Sequence, residues 1–160
     1  MTNPQTMNNV IITLLVDSTA LLLDPNMPLQ KCCTLAQLGG LLTADTTDDL
    51  TNYISDVNIG DNITWNGIAN STSRPGNIMS SVVNISGITA TTVFGQTQLL
   101  PISLSPGATG GTAVYGQISF GSEGDMVTYT ISFNIVVYDG ENSFTSPTYT
   151  IDPKIRVHQP

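Results

Sequence analysis

The sequence predicts an all-β fold, a single antiparallel β-sandwich or jelly roll of about nine short strands. Two observations support this prediction. Apolar and polar residues alternate over many short stretches, and breaks rich in glycine, proline, serine and asparagine separate those stretches. A chain of 160 residues fits one domain. We assign that domain to residues 9–158 and expect residues 1–8 to be a flexible tail.

The clearest strand is predicted at residues 126–138, where every second side chain is apolar. One side of this strand carries Val127, Tyr129, Ile131, Phe133, Ile135 and Val137. The opposite side carries Thr128, Thr130, Ser132 and Asn134. A helix would not separate the residues in this way, because its side chains repeat every 3.6 residues and not every two.

The stretch 56–67 reads D-V-N-I-G-D-N-I-T-W-N-G and predicts two short, half-buried strands with a corner at Gly60-Asp61. Trp65 is the only tryptophan, and it offers the largest apolar area for a contact between two sheets. We therefore expect it in the core. The alternative is an exposed aromatic ring on which a ligand stacks.

Other segments follow the same pattern. Residues 9–17 are apolar on both sides and predict a strand in the middle of a sheet. Further strands are expected at residues 78–88, 113–120 and 149–157, and a strand or bulged hairpin at residues 31–43.

Breaks and turns are marked by proline and by Asp-Gly. We expect a helical turn at residues 18–23 and irregular structure at residues 24–28, where two prolines restrict the backbone. Pro101 should lie at a sheet edge or bulge, and Pro153 should bend the final strand. Asp139-Gly140 suits a two-residue hairpin turn, with a longer loop as the alternative.

The charge content excludes two classes of partner. The net charge is -8, with only four Lys and Arg residues, so binding to nucleic acid or to an anionic membrane is not expected. No apolar stretch approaches the roughly 20 residues that a spanning helix needs. The first residues also lack the pattern of a secretion signal. We therefore expect a cytoplasmic protein.

Residues that could carry chemistry are few. His158 has no second histidine or cysteine near it in sequence and is expected in a solvated tail. Asp139 and Glu141 flank a turn and are expected to be solvated. The sequence has no G-x-S-x-G motif and no phosphate-binding glycine loop before a helix. We predict no enzyme, no cofactor and no catalytic or metal-binding residue, and we assign no ligand-binding residue.

Two further groups of side chains each have two possible interpretations. Asp45, Asp48 and Asp49 are the one cluster that could bind calcium, but their spacing does not match the twelve-residue calcium loop, and turn formation explains them better. Cys32 and Cys33 are adjacent, and because a bond between neighbouring cysteines is strained we expect two reduced thiols.

Three stretches in the same order resemble the AidA/PixA family of bacterial inclusion-body proteins. They are the opening N-V-I-I-T-L-L-V-D-S-T-A-L-L-L-D-P-N, the central D-V-N-I-G-D-N-I-T-W-N-G and the closing Y-T-I-D-P-K-I-R-V. The chain has Ser18 where the family has threonine and Thr150 near the family's usual aromatic residue. The resemblance implies a cytoplasmic protein that is deposited in inclusions, sometimes crystalline, and has no catalytic role.

The composition agrees with self-assembly, since a surface with few charges can pack against copies of itself with little repulsion. We expect the partner to be the chain itself, with the loop 66–77 as the candidate contact. A carbohydrate-binding module is the first alternative, because Asn, Asp and Trp suit sugar ligands. A jelly-roll subunit of a virion or fibre is the second.

Overall fold

The computed structural model describes residues 9–38, 44–47, 50, 52–69, 80–89, 101–102, 113–118, 122–139 and 142–159. Within these ranges the chain forms thirteen strands and two short helices. The strands are β1 (Asn9–Val16), β2 (Cys33–Leu38), β3 (Ala44–Thr47), β4 (Ile54–Asn58), β5 (Asn62–Ala69), β6 (Ser80–Thr89), β7 (Pro101–Ile102), β8 (Ala113–Gln117), β9 (Met126–Thr128), β10 (Thr130–Asp139), β11 (Asn142–Thr145), β12 (Tyr149–Ile151) and β13 (Lys154–His158). The helices are α1 (Ser18–Leu23) and α2 (Leu29–Cys32).

The strands form three sheets, and the predicted all-β fold class is confirmed. The large sheet has the order β3-β2-β1-β5-β8-β7. A second sheet has β10 at its centre, paired with β6, β11 and β12, and a small sheet has the order β4-β13-β9. Most neighbours are antiparallel, as predicted, but β1 is parallel to β5 and β4 is parallel to β13. The tail assigned to residues 1–8 lies outside the described residues.

Strand β1 lies inside the large sheet, between β2 and β5, as its apolar sequence predicts. Its inward side chains, such as Ile12 and Leu14, are fully buried. Helix α1 follows directly, because the Asp17 carboxylate accepts a hydrogen bond from the Ala20 backbone N–H at 3.1 Å and caps the first turn. The predicted helical turn is thus confirmed.

The predicted corner at Gly60-Asp61 moves the chain from one sheet to another. Gly60 has a φ of +95°, a left-handed conformation that glycine adopts without a steric penalty. The buried Asp61 carboxylate accepts a hydrogen bond from the Asn58 backbone N–H at 2.8 Å. Strand β4 before the corner belongs to the small sheet, and β5 after it belongs to the large sheet. The corner therefore connects two sheets and is not the turn of a hairpin.

The predicted strand at residues 126–138 is divided in two at Tyr129. Strand β9 pairs with β13, whereas β10 pairs with β6, β11 and β12. The Tyr129 backbone N–H donates instead to the Pro153 carbonyl, at 3.0 Å. The predicted apolar side is nevertheless correct, since Tyr129, Ile131, Phe133, Ile135 and Val137 are all buried.

The turn and break predictions also agree with the described residues. Pro101 begins β7, the edge strand of the large sheet. Asp139 pairs with Asn142, which favours the two-residue connection over the longer loop. Residues 152–153 separate β12 from β13. In β6 a bulge opposite Ser132 and Phe133 shifts the register, so Ile85 and Ile88 both face the core although they lie three residues apart.

One core holds the sheets together. Its buried apolar side chains come from all three sheets and form a single cluster. Within it the Trp65 indole N–H donates to the Tyr129 hydroxyl at 3.2 Å, and the two rings lie 5.9 Å apart at 58°. Gly67 of β5 faces Val83 of β6, so that a β-carbon on Gly67 would lie 2.6 Å from Val83 Cγ1. The large sheet and the β6–β10 sheet therefore pack face to face.

Phe133→Ala should lower the free energy of unfolding by about 3 to 5 kcal/mol, because Phe133 is fully buried and its removal leaves a cavity. Asn134→Ala should cost less than about 1 kcal/mol, since Asn134 lies on the opposite side of β10. Urea denaturation measured by circular dichroism tests both. Equal losses would contradict the register of β10.

Gly67→Ala should lower the free energy of unfolding by about 1 to 3 kcal/mol, because the added methyl group overlaps Val83. Gly87→Ala is the matched control, since a β-carbon there meets nothing within 4 Å, and its cost should stay below about 1 kcal/mol. Adding Val83→Ala to Gly67→Ala should recover part of the loss, because the two side chains share one space. Additive losses of unfolding free energy would show that the added methyl group and the Val83 side chain do not compete for the same space.

Candidate functional site

A cluster of charged side chains joins β4 to β13. The strands are parallel, and Arg156 lies opposite Asp56. The Arg156 guanidinium donates from Nε to Asp56 Oδ1 at 2.5 Å and from Nη2 to Asp56 Oδ2 at 3.0 Å. This two-bond geometry is the strong form of an arginine–carboxylate pair. Alternation along β13 brings Arg156 and His158 to the same side of the strand.

His158 lies between two carboxylates. Its Nε2 is 2.8 Å from Asp56 Oδ1, and its Nδ1 is 2.9 Å from Glu123 Oε1. Both ring nitrogens can donate only when the imidazole is protonated. The hydrogen bonds to Asp56 and Glu123 accordingly raise the pKa of His158. The prediction that His158 is a solvated tail residue is wrong, because a parallel partner about a hundred positions away in sequence supplies Asp56.

The pKa values of the two carboxylates, Asp56 and Glu123, are lowered. Partial burial opposes the ionisation of Asp56, but the hydrogen bonds from Arg156 and His158 outweigh it and lower the pKa of Asp56. The backbone N–H of Gln159 and then the His158 ring lower the pKa of Glu123. The shifts thus favour the charged forms of Asp56, Glu123 and His158, and the hydrogen bonds among these groups fix β13 between β4 and the turn at residues 122–125.

This cluster is suited to holding a strand and not to a reaction. Asp56 and Glu123 occupy both nitrogens of His158, so the ring has no nitrogen left to accept a proton from a nucleophile. In the described ranges no three His, Cys, Asp or Glu side chains are arranged to hold a metal ion. Among the same residues, no helix is long and apolar enough to cross a membrane.

The outward face of the large sheet has a different character. Its four described central strands contribute outward side chains without a single charge: Asn9, Ile11, Thr13, Leu15, Thr34, Ala36, Leu38, Asn62, Thr64, Asn66, Ile68, Ala113, Tyr115 and Gln117. We call this set the uncharged face. The -8 net charge of the chain must therefore come from residues elsewhere.

A row of exposed apolar side chains crosses the uncharged face. The strand registers place Leu38 beside Ile11, Ile11 beside Thr64, and Thr64 beside Tyr115. The exposed fractions are 58% for Leu38, 37% for Ile11 and 48% for Tyr115. The row spans four adjacent strands, so it forms a continuous surface that another protein surface could cover.

The other residues singled out in the sequence are placed as follows. Trp65 is completely buried, so the predicted core role is correct and the ligand-stacking alternative is excluded. Cys32 and Cys33 are buried free thiols. The backbone of Asp45 lies in β3, whereas Asp48 and Asp49 lie outside the described residues, as do Glu141 and residues 70–77 of the predicted contact loop.

The uncharged face is not evident from the sequence alone. The alternation in β1, β5 and β8 indicates which residues face outward, but only the strand order β2-β1-β5-β8 shows that those residues form one surface. The parallel step from β1 to β5 has no local sequence signal, because about 45 residues intervene.

The stability that His158 contributes should depend on pH. Its pKa is raised on folding, so this contribution is complete below the unfolded value of about 6.5 and is lost as the pH rises through the folded value. The two carboxylates have lowered pKa values, and their contribution is lost as the pH falls below about 4. The difference in unfolding free energy between wild type and His158→Gln should therefore be greatest near pH 5 to 6 and shrink above that range.

Urea denaturation at a series of pH values measures this difference. Thr150→Ala serves as the control, because it alters an exposed residue without a titrating group. A difference between wild type and His158→Gln that stays constant from pH 5 to 9 would contradict the proposed charge on the ring.

The fold is shared with a solved structure. No model of a protein family matches the sequence, and no curated protein matches it. The structure is similar to the crystal structure of an inclusion body protein (PixA) from Burkholderia cenocepacia, with 11% sequence identity and a TM-score of 0.56. The match covers 98% of this chain and 99% of that chain. The two proteins thus share a fold over their full length, in agreement with the motif resemblance to the AidA/PixA family.

Proposed function

We propose that this chain is a non-enzymatic inclusion-body protein of the AidA/PixA type, which accumulates in the cytoplasm and assembles through its folded surface. Two likenesses support the proposal. Three sequence stretches resemble the family in the same order, and the fold matches a PixA inclusion body protein from end to end.

The uncharged face is the observation that carries the assembly proposal. Each copy has a net charge of -8, so two copies repel each other when charged surfaces meet. A contact through the uncharged face avoids this repulsion. The charges of the β4–β13–β9 sheet lie on other strands, so this contact brings none of them against the partner.

Burial of the apolar row would contribute a favourable free energy to this contact. Burying Leu38, Ile11 and Tyr115 against a second copy removes apolar surface from water, which contributes roughly 25 cal/mol per Å². Around the row, threonine, asparagine and glutamine side chains can exchange hydrogen bonds with the partner without the cost of desolvating a full charge. The candidate contact therefore includes Asn66 of the loop named from the sequence, and it extends over β1, β2 and β8.

Adding like charges to the uncharged face should prevent assembly. In a Thr64→Glu, Tyr115→Glu variant two carboxylates meet the same carboxylates of the neighbouring copy, and this repulsion recurs at every contact. The matched control is Thr145→Glu, Thr150→Glu, which adds the same charge at exposed positions on β11 and β12, away from the face. Deposits are counted by electron microscopy of producing cells, and thermal unfolding of the soluble fraction monitors the fold.

We expect deposits from wild type and from the control pair, and a soluble, folded protein from the face pair. Wild-type protein that stays monomeric and soluble at high concentration in cells would refute self-assembly. Ordered deposits from the face pair would refute the contact surface alone. The carbohydrate alternative has lost its principal residue, because Trp65 is buried and cannot stack on a sugar.

A further inference from the structure

Two thiols lie side by side where α2 meets β2. In a continuous strand, neighbouring side chains point to opposite faces of the sheet. Here Cys32 ends helix α2 and Cys33 begins strand β2. The change from helix to strand leaves the two sulfur atoms 3.9 Å apart. The two sulfur atoms are therefore close because a helix ends and a strand begins between Cys32 and Cys33, and not only because the residues are neighbours in sequence.

The two thiols are buried and protonated, and they are unsuited to nucleophilic chemistry. Burial raises the pKa of Cys32, and the nearby Asp17 carboxylate raises it further. Burial also raises the pKa of Cys33, and the neighbouring Cys32 adds to the effect. Reactive cysteines have the opposite character, with a lowered pKa and a positively charged environment.

A cleft gives access to the pair. Its volume is about 430 Å³, and both cysteines contribute to its lining, together with Asp17, Gln30 and Lys31. The cleft is larger than one water molecule requires, so a small ion can enter. Lys31 contributes a positive charge to the lining, which offsets the negative charge of the Asp17 carboxylate in the same cleft.

The two sulfur atoms are close enough to share one metal ion after a small side-chain adjustment. Metal–thiolate bonds are about 2.3 Å long, and an ion held by only two thiolates is close to linear, so its two sulfur atoms lie about 4.6 Å apart. The observed separation of 3.9 Å is shorter by about 0.7 Å, and rotation of the two side chains within their rotamer wells can supply this difference without movement of the backbone. Structural zinc takes four protein ligands. In the described part of the chain no third His, Cys, Asp or Glu completes such a group.

We propose that Cys32 and Cys33 form a two-thiolate site for a soft monovalent metal ion, Cu(I). Thiolates are soft ligands that select Cu(I) and Zn, and of these two ions Cu(I) is the one that two thiolates can hold without further protein ligands. In the binding step one Cu(I) displaces two thiol protons and forms two Cu–S bonds. The product is a bis-thiolate complex with a charge of -1 and two released protons. No electron is transferred, and the site does not depend on assembly.

The test is an anaerobic titration of the folded, full-length chain with the Cu(I)–acetonitrile complex, in competition with a chromogenic Cu(I) chelator. We expect one Cu(I) per chain, an ultraviolet sulfur-to-copper charge-transfer band and protection of both cysteines from alkylation. Cys32→Ala and Cys33→Ala should each weaken binding by more than the roughly 10- to 100-fold that loss of an outer-shell contact causes. Met126→Leu, which removes an exposed thioether elsewhere, should leave binding unchanged.

Alkylation of the wild-type protein tests the same site without any substitution. Peptide mass spectrometry then reports whether Cu(I) protects Cys32 and Cys33 together, even if an alanine variant does not fold. The proposal is overturned if wild type binds no Cu(I), if the two cysteines remain open to alkylation in its presence, or if folded alanine variants bind as tightly as wild type. Tighter competition by Zn(II) than by Cu(I) would also overturn it.

Discussion

The structure depends on the close approach of β5 and β6, where Gly67 faces Val83 without an intervening side chain. Glycine at this position brings the large sheet and the β6–β10 sheet together, and Trp65 then reaches the Tyr129 hydroxyl. Trp65 lies two residues from Gly67 on the same side of β5, so one strand supplies both the smallest and the largest side chain of the interface. Such alternation of small and large residues lets two faces interdigitate without voids.

The charged cluster and the uncharged face show how a chain with few charges divides its surface. A substantial share of the charged and titratable side chains lies at one strand junction: Asp56, Glu123, Arg156 and His158. There they are paired and contribute register between parallel strands. The large sheet keeps amides, hydroxyls and apolar groups outward on its four described central strands. The paired charges and the uncharged outward face thus lie on different sheets.

Much of the fold could be predicted from local pattern, because the alternation of side chains is a local property. The buried residues of β10, the central position of β1, the helical turn at residues 18–23 and the edge position of Pro101 all follow from neighbouring residues. The division of residues 126–138 at Tyr129 could not be predicted, since the alternation of apolar and polar side chains continues through Tyr129 unchanged. What changes there is the pairing partner, and partners are set by contacts distant in sequence.

The candidate sites were less predictable for the same reason. The role of His158 depends on Asp56 and Glu123, which belong to other parts of the chain. The uncharged face requires the strand order of the large sheet. The thiol pair was recognised as a pair from adjacency, but its sulfur separation and its cleft follow from the ending of α2 at Cys32, for which the sequence carries no strong stop signal.

The central position of β13 in the small sheet has a consequence for synthesis in the cell. Arg156 comes 100 residues after Asp56, so β4 leaves the ribosome long before the strand that will lie beside it. At roughly 5 to 20 residues per second this interval is about 5 to 20 s. Throughout it β4 and then β9 have no partner at the side where β13 will insert, and an unpaired edge can join an edge of another chain. In a cell that produces the protein abundantly, completion of each chain therefore competes with strand pairing between chains, and the rate of translation sets how long that competition lasts.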